Sequence, residues 1–177
     1  MLKNKWFISF LFILVFSVFL YINLENYTLE NTNSTDLSTV SNAEMEKVIK
    51  LNPNIFPMRM ALANRYFESF EYSDALIHYM YIAQNSNESE TKSIALAQIG
   101  WMVFESGDVN TSLNYINQSL RIIPNSILAK SYKGIILIQQ DETRIEGINL
   151  LKSIVSNNSL PIEDLELINQ VLQFYEN

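Results

Sequence analysis

The stretch from Ser93 to Ser126 shows the clearest alternation of apolar and polar positions in the chain. Leu96, Ile99, Gly100 and Val103 recur at spacings of three and four, the period of one helix face. Gly107 breaks the run where a left-handed residue would close a helix, and Asp108 is suited to cap the next one. Leu113, Ile116, Leu120 and Ile123 then resume the period before Pro124 and Asn125. The pattern predicts two amphipathic helices joined by a tight turn.

Looser copies lie on both sides. Before it, Asn42 is placed to cap a short helix, Ala43 to Leu51, that ends in Asn52-Pro53. Phe56 to Ser69 follows, with Pro57 in its first turn and Met58, Leu62, Ala63, Tyr66 and Phe67 on one face. After a turn at Phe70 to Tyr72, Ser73 is read as the cap of a partner helix whose inner face is Ala75, Leu76, Tyr79 and Ala83. After the central stretch, Leu128, Gly134, Leu137 and Ile138 lie on one helix and Ile145, Ile148, Leu151 and Val155 on the next.

Small residues fix the period. Ala63, Gly100 and Gly134 recur at nearly equal intervals, and so do Ala75, Ser112 and Gly147. The interval is that of a helical-hairpin repeat of roughly 34 residues. Small side chains at these places let two helices of a pair cross closely. The first interval of each series is slightly longer, and its extra residues are assigned to a polar loop, Asn85 to Lys92. The extra residue of the third copy is assigned to the turn Gln140 to Thr143. Insertions of this kind are what an array of helical hairpins tolerates. Pro161 opens a last amphipathic helix, to about Tyr175, suited to cover the end of such an array.

The chain before Asn42 departs from the pattern. Lys3 and Lys5 precede Trp6 to Ile22, an apolar run without a charge. As a helix this run covers roughly 26 Å of a bilayer core near 30 Å. No small-x-small cleavage site ends it, so an uncleaved transmembrane anchor is expected rather than a signal peptide. The lysines before the span place the N-terminus in the cytoplasm and the remaining chain across the membrane. Asn23 to Ser41, rich in Asn, Thr and Ser, reads as a flexible linker.

Composition narrows the chemistry. The 177 residues include no cysteine, which excludes disulfides and thiolate chemistry. The net charge of -7 argues against nucleic acid, whose phosphates call for clustered Lys and Arg. His78, the single histidine, is expected half-exposed on the outer side of its helix, and a lone imidazole makes no metal site. With no phosphate-binding loop or nucleophile elbow, no enzymatic activity and no cofactor are expected.

The repeat resembles the tetratricopeptide repeat (TPR). It is carried by Leu62-Ala63-x-x-Tyr66 with Ala75 and Tyr79, then by Ile99-Gly100 with Gly107-Asp108, Ile116 and Pro124, and more loosely by Gly134, Leu137 and Leu151. Asp141-Glu142 stands in the third copy where Gly-Asp is usual. The resemblance implies an all-α, TPR-type α-solenoid of antiparallel helix pairs with a C-terminal capping helix, preceded by one transmembrane helix. Its parts are a cytoplasmic N-terminus at 1–5, the anchor at 6–22, the linker at 23–41 and a TPR domain at 42–177. Within that domain lie a half repeat at 43–55, repeats at about 56–89, 93–126 and 127–160, and a capping helix at 161–175.

The order of anchor, linker, half repeat, LANRYFESFEYSDALIHY, IGWMVFESGD and a cap opening LPIEDLELI is also similar to membrane-anchored TPR proteins of bacterial c-type cytochrome maturation. That resemblance implies an extracytoplasmic scaffold that holds a protein or peptide partner, an apocytochrome or its haem-ligation complex. An assembly factor for another envelope complex, such as a pilus or secretion apparatus, is the alternative. TPR domains take peptides on the face lined by the first helix of each pair. Here that face carries Met60, Asn64 and Phe67 with Glu68, then Ala97, Trp101 and Phe104 with Glu105, then Ser131, Ile135 and Ile138. The result would be an apolar, aromatic groove with an acidic rim. Trp101 and Phe104 are equally suited to the core between repeats. Lys130 and Lys133 are expected to face solvent.

Overall fold

The computed structural model describes residues 37–156 and 162–176. Among these it is all-helical: a 3-10 turn, Leu37–Thr39, and helices α1 (Asn42–Leu51), α2 (Phe56–Glu68), α3 (Tyr72–Asn85), α4 (Ser89–Glu105), α5 (Val109–Ile122), α6 (Ile127–Ile138), α7 (Arg144–Ser156) and α8 (Ile162–Glu176). Short connections make successive helices antiparallel. The closest pairs are α2 with α3, α4 with α5 and α6 with α7; α3 also packs on α4, and α4 reaches α6. Hairpins stacked in chain order are consistent with an α-solenoid. The anchor segment and residues 23–36 of the linker lie outside the described residues. Among the described residues no helix is long and apolar enough to cross a membrane.

The helix crossings are as close as the small residues require. A Cβ on Gly100 would lie 2.6 Å from Ile116 Cγ1 and 3.1 Å from the Ser112 carbonyl oxygen of α5. One on Gly147 would lie 2.7 Å from the Gly134 carbonyl oxygen and 2.5 Å from Ile138 N, both on α6. The spaced small residues of the second and third copies therefore meet in pairs. A further close contact joins α4 to α5, where Ser119 Oγ donates to the Ser93 carbonyl at 2.7 Å. One apolar cluster runs through the hairpins, with Tyr79, Ile99, Ile116, Tyr132, Ile136 and Leu151 fully enclosed. Ile168, Val171 and Leu172 of α8 join it. A separate small cluster, Met45, Ile49 and Leu62 with Leu37 and Val40 against it, holds α1.

The turns between paired helices repeat one geometry with different residues. Gly107 is left-handed (φ 96°), and Asp108 N donates back to the Val103 carbonyl at 3.3 Å. Phe70, one repeat earlier, occupies the same place with φ 61°, and Glu71 N donates to the Tyr66 carbonyl at 2.8 Å. An L-residue with a large side chain is strained there, so the first copy carries a cost that the second avoids. In the third copy the turn lengthens. Thr143 Oγ1 donates to the Leu137 carbonyl at 2.9 Å and Arg144 Nε to that of Ile138 at 3.4 Å, so side chains close the helix end.

Several boundaries differ from expectation. Ser41, not Asn42, caps α1: its Oγ accepts from Glu44 N at 3.3 Å while the Glu44 carboxylate accepts from Ser41 N at 2.9 Å. This reciprocal box needs a carboxylate three positions on, which Ser41 has and Asn42 lacks. Residues 37–41 of the predicted linker thus belong to the folded part. Ser73 lies inside the first turn of α3, and no side chain caps that helix. The expected loop Asn85 to Lys92 shrinks to 86–88, because α4 starts at Ser89 and extends one turn earlier than the repeat demands. Polar residues there continue the helix without an apolar signal to mark it.

Candidate functional site

The first helices of the three pairs, α2, α4 and α6, carry the predicted groove residues. Met60, Asn64 and Phe67 are all buried on α2. Asn64 is not offered to a ligand: its Oδ1 accepts from the Tyr79 hydroxyl, which is fully enclosed. Trp101 is only 2% exposed, and Ile135 and Ile138 are enclosed on α6. Phe104 alone of the seven is partly exposed. Trp101 stacks on Tyr132 of α6, with ring centroids 4.7 Å apart and 22° between planes, and tilts against Phe104 at 5.5 Å. Trp101 therefore bridges two successive repeats, and six of the seven side chains sit in the interior beneath the surface of this face.

What reaches that surface is polar and aromatic. Glu68 and Glu105 end α2 and α4, one repeat apart, at equivalent places. Surrounding protein pushes both carboxyls above their ordinary value by desolvation, with Arg65 acting weakly in the opposite sense on Glu68. Tyr72, at the start of α3, packs its ring 5.4 Å from Phe67. Burial, then the Glu105 charge, pushes its phenol up to about 12. Tyr132 is fully enclosed, and burial, with lesser contributions from Tyr72 and Glu105, holds its hydroxyl in the neutral form. That hydroxyl donates to Gln98 Oε1 at 2.9 Å, while Gln98 Nε2 is buried without a hydrogen-bond partner.

The sequence reading missed Gln98, Tyr72 and Tyr132. Two signals pointed to Gln98 and Tyr132. Gln98, Trp101 and Glu105 share a helix stripe at i, i+3 and i+7, and Tyr132 follows Gln98 by one repeat length.

His78 departs most from expectation. It is buried, not half-exposed, in a polar cluster that ties three helices. Arg59 Nη1 on α2 lies 3.2 Å from His78 Nδ1, and His78 Nε2 lies 3.0 Å from Glu46 Oε1 on α1. Guanidinium can only donate, so Nδ1 accepts and the neutral ring carries its proton on Nε2, which donates to Glu46. The Tyr66 hydroxyl donates to the same carboxylate oxygen at 3.2 Å, and its ring stacks on the imidazole at 5.8 Å. Arg59 is itself buried, donates from Nε to the Pro53 carbonyl at 3.0 Å, and lies 3.9 Å over the Tyr81 ring. Desolvation lowers the His78 pKa; Glu46 opposes that and Arg59 adds to it. No signal in the sequence marks this cluster, because Arg59 and Glu46 are far from His78 along the chain and meet it only through the packing of α1, α2 and α3.

Lys130 and Lys133 line an open cleft of about 550 Å³ with Leu120, Pro124, Glu146, Asn149 and Leu150, and none of the predicted groove residues borders it. Both lysines are only partly exposed: Lys130 Nζ donates to Asn125 Oδ1 at 3.0 Å, and Lys133 lies 3.9 Å from Glu146. Among the described residues no group of three His, Asp or Glu side chains is placed to hold a metal ion. Compared with known proteins, the chain matches no family model, no curated relative and no solved structure.

Proposed function

We propose that the chain is a membrane-anchored TPR-type scaffold that works outside the cytoplasmic membrane and captures a peptide segment of a protein partner, without enzymatic activity. The observation that carries this reading is the pairing of small residues at repeat spacing, Gly100 against Ser112 and Gly134 against Gly147, at the crossings within successive hairpins. Hairpins held in that register align α2, α4 and α6 on one side, which is the face a TPR array offers to peptides. On it Trp101 and Ile135 form a rigid floor, and Phe104, Glu68 and Glu105 supply the accessible contacts. Aromatic side chains anchor peptides well because they bury large area at small entropic cost. The anchor at Trp6 to Ile22 raises the effective concentration of the scaffold near a membrane complex.

The client follows from the resemblance to the anchored scaffolds of c-type cytochrome maturation: an apocytochrome or the haem-ligation complex that receives it. The test is binding of apocytochrome peptides to the full chain in detergent, with Phe104→Ala as the variant. Phe104 is partly exposed, so its truncation leaves the enclosed core intact, as circular dichroism would verify. Affinity is expected to fall by tenfold or more, on the order expected for an aromatic anchor. Equal binding by the variant, or capture of secretion or pilus components in place of cytochrome partners in membrane crosslinking, would overturn the reading.

A further inference from the structure

The charges of the chain are unevenly distributed. Its net charge is -7, yet none of its 19 acidic residues falls between Val109 and Gln140, the stretch that forms α5 and α6. That stretch carries Arg121, Lys130 and Lys133. Lys130 and Lys133 stand three positions apart, on one side of α6, and both border the open cleft of about 550 Å³ where α5 and the loop after it meet α6 and α7. Neither ammonium is neutralised there. Lys130 Nζ donates to a neutral acceptor, Asn125 Oδ1, at 3.0 Å, and forms no ion pair among the described residues. Lys133 lies 3.9 Å from Glu146 Oε1, the one acid of the cleft, whose side chain is 62% exposed. A solvated pair at that separation contributes little and leaves the ammonium open to a closer carboxylate.

The cleft also has an apolar lining. Leu120 near the end of α5, Pro124 in the loop and Leu150 on α7 come from two successive repeats, and none of the three is fully buried. Apolar surface thus lies beside two positive charges in a chain that is otherwise acidic. From this arrangement we infer that the cleft is a docking site for an acidic peptide segment of a protein partner. A glutamate or aspartate carboxylate of that segment accepts from Lys130 and Lys133, and a neighbouring aliphatic side chain covers Leu120, Pro124 and Leu150. Charge complementarity names the sign of the occupant, and concavity names its kind. A lipid surface is broad and meets lysines that reach out to it, whereas these two are only partly exposed and flank a hollow. None of the residues named on the first-helix face borders the cleft, so the inference goes beyond the peptide-binding reading above and stands without it.

The test uses the full chain in detergent and two capped, fluorescent peptides. One alternates leucine with glutamate between terminal serines, and the other has glutamine in place of each glutamate. Fluorescence anisotropy measures both affinities for wild type, for the double variant Lys130→Gln with Lys133→Gln, and for Lys47→Gln. Lys47, exposed on α1, controls for loss of positive charge away from the cleft. The glutamate peptide is expected to bind wild type roughly tenfold tighter than the glutamine peptide, by a margin that shrinks as salt is added. The double variant should erase that preference and Lys47→Gln should keep it, with unchanged circular dichroism in both. Equal affinity of the two peptides for wild type, or binding of neither, overturns the inference. So does a preference that survives in the double variant or is lost equally in Lys47→Gln. Displacement of the glutamate peptide by an equal concentration of phosphatidylglycerol in the micelles assigns the lysines to lipid headgroups and also overturns it.

Discussion

Gly147→Ala tests whether hairpin helices touch where the repeat spacing says they should. The added Cβ would lie 2.5 Å from Ile138 N, 2.7 Å from the Gly134 carbonyl oxygen and 2.9 Å from Ile138 Cα. All three are backbone atoms of α6, so no rotamer change can relieve the clash. Restoring the shortest of them to the 3.4 Å lower bound of ordinary contact means moving α6 and α7 apart by about 0.9 Å at the crossing. Overpacking costs about 1–3 kcal/mol, and three contacts under 3.0 Å with backbone that cannot rotate away put this one at about 2–3 kcal/mol. Against it, alanine is favoured over glycine within a helix by about 1 kcal/mol. The net expectation is a loss of about 1–2 kcal/mol, a fall of roughly 3–10 °C in the unfolding midpoint for a domain of this size. Gly134→Ala should cost less, because its Cβ would meet Leu151 Cδ2 at 2.6 Å and Cγ at 2.7 Å, atoms of a side chain that has some freedom to turn. Asn149→Ala, at an exposed position of the same helix, should change stability by less than about 0.5 kcal/mol. Thermal and urea unfolding of the full chain, followed by far-ultraviolet circular dichroism, would measure all three. A Gly147→Ala protein as stable as wild type would refute the close crossing and the repeat register built on it.

Three further outcomes follow from the turns and the polar cluster. Phe70→Gly is expected to stabilise the fold by about 0.5–1 kcal/mol, since Phe70 is left-handed and 59% exposed, while Gly107→Ala should destabilise it by about 1 kcal/mol; the same sign for both in chemical denaturation would contradict the turn geometry. The folded-state pKa of His78 is lowered by burial, so the unfolded chain binds the proton more readily. The stability this contributes is fully present above the ordinary value of 6.5 and is lost as pH falls from there towards the lowered value. As the chain has one histidine, its imidazole resonance is unambiguous, and a titration midpoint at or above 6.5 would rule this out. Arg59→Met should remove the donor to His78 Nδ1 and raise the histidine's midpoint towards its ordinary value, which the same titration measures.

The fold was legible where one residue type does one thing. Glycine at 100, 134 and 147 marks close crossings because any Cβ there collides with the facing helix. Gly107 and Asp108 mark a turn because one accepts a left-handed backbone and the other caps the next helix. The reading failed where a different residue does the same job. Phe70 takes the left-handed position despite its side chain, and Ser41 caps α1 through a partner one helical turn on. The candidate face was legible only in register. Helical spacing identified which residues share a side of α2, α4 and α6, but not how deep they lie. Trp101 is buried because Tyr132 of the next repeat supplies a ring to stack on it, and that pairing is tertiary. Asn64 has the polarity of a ligand-binding residue but satisfies the hydroxyl of a buried tyrosine instead.

The same distinction separates the two polar clusters. Around His78 the polar contacts close on each other: Arg59 donates to the imidazole, the imidazole to Glu46, and Tyr66 to the same carboxylate. Such a cluster has a structural task, and its position defines it. It joins α1 to α2 and α3, where the apolar contact is the small cluster of Met45, Ile49 and Leu62 rather than the main core. Arg65 adds to the joint through the carbonyls of Leu37 and Val40. The half repeat is thus held by polar contacts together with that small apolar cluster. Protonating His78 removes the acceptor that Arg59 uses between α2 and α3, whereas the contact to α1 through Glu46 gains charge. At the ends of α2 and α4 the groups do not close on each other. Glu68 and Glu105 form no ion pair within the described residues and Gln98 Nε2 has no acceptor, although the rings around them are well packed. Of the two carboxylates Glu68 stays exposed and Glu105 is half-buried, so the cost of desolvating a charge at a helix C-terminus falls on Glu105.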